Sequence, residues 1–162
     1  MLTKQDILEE FNEEVPATRK MLERVPFDKF DFKPSPKSMP LGQMAIMISL
    51  IPNWFVSIVK EPGVDMGTFK QPPKPKDVKE LLRNFDDGVR EVNKAIAEAD
   101  EAELDEDWPL KLKGKTIMEM PRRAFLRQTI NHLVHHRAQL GVYLKMNGIA
   151  HPAVYGPSGD EQ

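Results

Sequence analysis

Apolar positions recur at helical spacing in four separated stretches of this 162-residue chain. The first carries Ile7, Phe11, Val15, Leu22 and Val25, and Thr3 followed by Asp6 reads as a capping box that opens it. Pro16 removes a backbone donor inside this helix and predicts a bend or a break. A second helix is predicted from about Leu41 to Lys60, with Met44, Met47, Ile48, Ile51, Phe55 and Ile58 along one side and a kink at Pro52. Ser38 or a neighbour is placed to cap it, with Pro40 in its first turn. Asp77 caps a third helix through Val78, Leu81, Leu82, Phe85, Val89, Val92 and Ile96. The fourth starts near Pro121 and stops at Asn147-Gly148, a favourable helix end.

Polar, proline-punctuated segments join these helices. The loop over residues 26–40 carries Phe27, Phe30 and Phe32, which are predicted to seal one end of the core. Residues 61–76 are too rich in proline for a helix or a central strand. Residues 98–107 form an acidic exit without the spacing of a calcium loop. Trp108 to Met118 alternates weakly around Gly114 and predicts a small hairpin or an extended arm. Four amphipathic helices with such connections imply an all-α four-helix bundle, one domain over residues 1–162.

Composition narrows the chemistry. With no cysteine, disulfides, thiolate metal sites and cysteine nucleophiles are excluded. A net charge of −2 with mixed signs gives no electrostatic case for nucleic acid or an anionic membrane. No apolar run approaches the roughly 20 residues needed to cross a bilayer, and Met1 to Asp6 is unlike a secretory signal, so a cytoplasmic protein is expected. No Gly-rich phosphate loop, nucleophile elbow or paired-acid signature is present.

The candidate chemistry sits on the fourth helix, which holds His132, His135 and His136. With Leu126 at zero, the apolar stripe of Leu126, Ile130, Leu133, Leu140 and Leu144 spans about 320° to about 40°. His136 falls at about 280° and His132 at about 240°. They flank the core beside Phe125 and Thr129, an HxxxH pair able to grip one metal ion. His135, at about 180°, is expected on the solvent side. Leu133 stands where the glutamate of a His-Glu-x-x-His protease would be. Arg137, at about 20°, lies inside the stripe and needs an acceptor. Glu14 lies in the stripe of the first helix at about 340°, with Thr18 at about 20°. Either the helix turns after Pro16 and leaves Glu14 wet, or Glu14 and Arg137 meet inside the bundle.

Three segments carry a resemblance. Pro36 to Ala45 (PKSMPLGQMA), Asn131 to Leu144 (NHLVHHRAQLGVYL) and the tail Tyr155 to Glu161 (YGPSGDE) resemble the DinB/YfiT-like family over essentially the whole chain. The resemblance implies an up-down-down-up bundle with a long crossover connection, commonly a homodimer. It also implies a metal site of three histidines, one on the second helix and an HxxxH pair on the fourth. Carried across, the pair is His132 and His136, while the second-helix position falls on Met47. A thioether suits cuprous copper rather than zinc, nickel or ferrous ion, so Met47 reads as an apolar wall. Glu14 or His151 could complete the site, the two histidines could hold a metal weakly with water, or the metal could be lost.

Two functions follow from that resemblance. One is a metal-dependent hydrolase or thiol transferase in which an ion of zinc, nickel or iron on His132 and His136 activates water or a thiol. The other is a non-catalytic dimeric bundle that takes a small molecule or partner in a groove lined by Met47, Thr129, Glu14, Arg137 and the two histidines.

Overall fold

The computed structural model describes residues 2–70 and 72–160. Glu161, at the end of the tail motif, lies outside the described residues. Four helices dominate: α1 (Lys4–Glu23), α2 (Leu41–Lys60), α3 (Val78–Glu98) and α4 (Arg122–Met146). Each of α1 and α2 packs against both α3 and α4. One buried apolar cluster draws Ile7 and Phe11 from α1, Ile48 and Phe55 from α2, Phe85 from α3 and Leu133 from α4.

Most helix ends follow the sequence. Thr3 and Asp6 form the reciprocal capping box of α1, and the Asp77 side chain accepts from the Glu80 backbone N–H at 2.8 Å. Gly148, at a φ of 72°, lies just beyond the end of α4. Pro16 and Pro52 lie within α1 and α2, both of which continue past them. The start of α2 differs from expectation. Pro40 is its N-cap and no side chain caps it, while Ser38 is bonded to Ser35. Carbonyls from the aromatic loop take that role: Leu41 N–H donates to Phe32 O and Gly42 N–H to Phe30 O. A Cβ on Gly42 would overlap the Phe30 ring, so a glycine lets this loop close on the helix. Phe30 is buried, with Phe27 against it at 4.8 Å and Phe32 edge-on to Tyr143 at 6.0 Å.

The expected all-α class needs correction, because a three-stranded sheet is also present. Strand β2 (Asp107–Leu112) pairs antiparallel with β3 (Lys115–Pro121), and β1 (Val64–Asp65) adds to β2 in parallel. The hairpin turns through Lys113 and Gly114, at φ values of 50° and 78°, as in a two-residue turn with both central residues left-handed. The Asp65 carboxylate accepts from the backbone N–H groups of Gly67, Lys113 and Gly114 at 2.7, 2.9 and 2.7 Å. Those three donors hold its pKa below the usual aspartate value. The hairpin is thereby tied to the segment after α2.

The root of the hairpin is fixed as firmly. Trp108 is fully buried and stacks edge-on against Phe125 at 4.9 Å. Its indole N–H donates to Glu61 O at 2.9 Å. The Arg122 guanidinium donates to the carbonyls of Ile58 and Glu61, meeting the negative end of the α2 dipole. The acidic exit is also structural. Arg123 is buried and ion-paired to Glu101 at 2.6 Å and Asp105 at 2.8 Å.

By length and composition α2 is apolar enough to cross a membrane, contrary to the expectation that no run approached this. Half of its most apolar window is buried in this fold, as suits a core helix.

Candidate functional site

Two different constructions occupy opposite flanks of α4. The first centres on Arg137, which is buried. Its guanidinium pairs with the Glu14 carboxylate at 2.6 Å, their side chains 3% and 13% exposed. It also donates to Thr18 Oγ1 at 3.2 Å and to Tyr155 Oη at 2.6 Å. The Tyr155 hydroxyl donates in turn to the Glu14 carboxylate at 2.9 Å. Burial, followed by this bond to Glu14, holds the phenol above its usual pKa. The two misplaced charges of the sequence thus meet, and the tail closes over them.

The second construction is an open cavity of about 570 Å³ under the hairpin. Its helical wall is the face of α4 bearing Phe125, Gln128, Thr129, Asn131, His132 and His135. Trp54, Ile58, Trp108 and Leu110 form much of the rest. A second cavity of about 300 Å³ lies against α2, lined by Gln43, Met47, Leu50 and Phe69 among others. Trp54, Met66 and His132 belong to both.

The predicted residues divide between these constructions. Met47 and His132 line the smaller cavity, and Thr129 lines the larger, its hydroxyl donating to Phe125 O at 2.8 Å. Glu14 and Arg137 line neither of the two. His136 also lines neither; it is half-buried, its Nδ1 bonded to Gln139 Oε1 at 2.8 Å. Its ring lies edge-on to His132 at 4.5 Å and to His135 at 4.9 Å. His135, expected to face only solvent, is exposed but lines the larger cavity because the hairpin reaches across it. Helical angles alone cannot reveal a neighbour supplied by a distant hairpin.

Desolvation comes first in lowering the pKa of His132, helped by the charges His136 and His135 would carry. His136 is lowered mainly by desolvation too, with the Gln139 bond opposing. Both rings are therefore mostly neutral at pH 7, the state that can ligate a metal or accept a hydrogen bond.

The candidates for a third ligand are engaged elsewhere. Glu14 is held by Arg137 and Tyr155, and the His151 ring packs on α4 at Gly141. Among the described residues no group of three or more His, Cys, Asp or Glu side chains could hold a metal ion.

The DinB family model matches residues 1–162. The chain belongs to the DinB family. Among curated proteins it is similar to the uncharacterised protein YjoA of Bacillus subtilis, 22% identical over 132 residues, which is 82% of each chain. The crystal structure of that DinB-like protein superposes with a TM-score of 0.69 at 20% identity, covering 96% of this chain and 99% of that one. A DinB-like protein from Bacillus cereus superposes with a TM-score of 0.66 at 25% identity, covering 95% and 99%. These likenesses establish the mostly helical fold with four long helices.

Proposed function

We propose that this DinB protein binds a small molecule beside His132 and has set aside the three-histidine metal chemistry that the resemblance implies. The observation that carries this reading is Met47. The resemblance puts the second-helix ligand position on this residue, and it lines the same cavity as His132. A divalent zinc, nickel or ferrous ion takes nitrogen and oxygen donors readily and a neutral thioether poorly. The donors present therefore do not fit a three-ligand site with one open position. What the larger cavity, which also includes His132, does offer is volume in the range of ligand pockets, an apolar lining and polar groups gathered on one helix face.

The same reading keeps the up-down-down-up path for the helices. Residues 61–77, extended at about 3.3 Å each, are long enough to return along the roughly 30 Å of α2 so that α3 runs parallel to it.

Metal analysis tests the proposal against a metal-dependent hydrolase or thiol transferase. Untagged protein equilibrated with zinc, nickel or ferrous ion and then desalted is expected to retain far less than one equivalent. Met47→His should raise zinc affinity by at least roughly tenfold, since it supplies the missing imidazole. Near-stoichiometric metal on the unmodified chain, lost in His132→Ala and His136→Ala, would overturn the proposal and restore the enzyme reading.

A further inference from the structure

The two cavities beside α4 share a wall of Trp54, Met66 and His132. Aspartate, glutamate, lysine and arginine make up 30% of the chain. Yet among the described residues none of the side chains lining either cavity is one of these four. By contrast, a cavity between α2 and α3 is lined by Lys74, Lys76, Glu80, Asp87 and Glu91. The polar groups of the two cavities beside α4 are instead amide, hydroxyl and imidazole functions on α4, together with Gln43 on α2 and the indole N–H groups of Trp54 and Trp108. The remainder is aromatic and aliphatic, and several members of the rim are themselves partly in solvent: Met66, Phe69, Ile117 and Met118.

We infer that these cavities are two chambers of one site for an uncharged, elongated and mainly apolar molecule. Its single hydrogen-bonding group would meet His132 at the waist. This inference rests on the small-molecule reading above and adds the ligand's charge, shape and position.

The exclusion of charge is the main support. A carboxylate, phosphate or sulfonate entering either chamber would lose water with no lysine or arginine in the lining to meet it, at a cost that disfavours binding. An ammonium would likewise meet no carboxylate. An apolar body loses nothing comparable, and each methylene buried contributes a factor of roughly four in affinity. Length follows from the shared wall. A compact molecule fits the larger chamber alone, whereas a chain continuing past His132 enters the smaller one between Met47 and Phe69. Met66 suits the waist, because its unbranched thioether changes rotamer readily and it is partly exposed in a loop held by Asp65. Hinge motion of the whole segment is unnecessary.

The experiment uses the full chain and the matched pair N-phenyl-1-naphthylamine, uncharged, and 8-anilino-1-naphthalenesulfonate, its anionic counterpart. Competition with 4-alkylphenols of increasing chain length follows. The uncharged probe should bind saturably and the sulfonated one at least roughly tenfold more weakly. Alkylphenol affinity should climb about fourfold per methylene. Met47→Trp fills the smaller chamber and should cut off that climb while sparing the short members. Gln43→Trp, at an exposed position of the same chamber, repeats the test without touching packed side chains. If neither probe nor any alkylphenol binds, the small-molecule reading itself falls. If they bind but the sulfonate binds as tightly, or both tryptophan variants keep the full dependence on length, only the uncharged two-chamber site is overturned.

Discussion

Arg137 and His132 sit close together on α4, and their surroundings could hardly differ more. Arg137 is buried, and its donors are answered by Glu14, Thr18 and Tyr155. His132 faces an open cavity lined by no Asp, Glu, Lys or Arg among the described residues, and no hydrogen bond ties its ring to a neighbouring side chain among those described. A saturated polar cluster inside a fold specifies and stabilises that fold, because each member is costly to leave alone. Uncommitted polar groups on a concave apolar wall contribute little to stability and remain available to a ligand. The contrast separates the structural part of the helix from the part able to act.

The largest expected effect strikes the saturated side. Glu14→Gln keeps the shape of the side chain but leaves Arg137 without its counter-charge in a site only 3% exposed. Removing one partner of a buried pair costs about 3 kcal/mol or more, so urea denaturation should show a loss of that order. A loss below about 0.5 kcal/mol, the range of an ordinary surface change, would mean that the cluster is not structural.

Tyr155→Phe asks how far the tail belongs to the same cluster. The hydroxyl bridges Arg137 and Glu14, yet the residue as a whole is 74% exposed. Water can therefore replace part of the lost bond, and a destabilisation of about 1 kcal/mol is expected. The double-mutant cycle with Glu14→Gln should give a coupling of about 0.5 kcal/mol or more. Strict additivity would show that the tyrosine merely rests on the surface.

How much of this was legible beforehand depends on the range of the interaction. Capping by Thr3, Asp6 and Asp77 is local, so spacing reveals it. Glu14 and Arg137 were also legible, since each falls inside an apolar stripe and two opposite charges with that fault can cure one another. The cavity was not. Its roof is the hairpin, held by Asp65 from a segment distant in sequence, and β1 is a two-residue strand whose identity comes only from pairing with β2. The angle that assigned His135 to solvent was sound for an isolated helix and blind to that roof. Arg123 escaped notice for the same reason, because Glu101 and Asp105 reach it from the exit of α3.

The smallest stability effect should come from His132→Ala, and its smallness is what makes it informative. The ring is exposed toward the cavity and packs against His136 without a hydrogen bond between them. Truncation removes no buried partner and leaves no orphaned charge, so stability should change by no more than about 0.5 kcal/mol. Binding of the uncharged probe should nevertheless weaken several-fold, because the waist loses both its polar contact and part of its wall. Circular dichroism and urea denaturation on the same samples separate the two effects. A loss of several kcal/mol would instead make His132 a member of the scaffold like Arg137. The distinction between the two flanks of α4 would then disappear, whatever the probe reported.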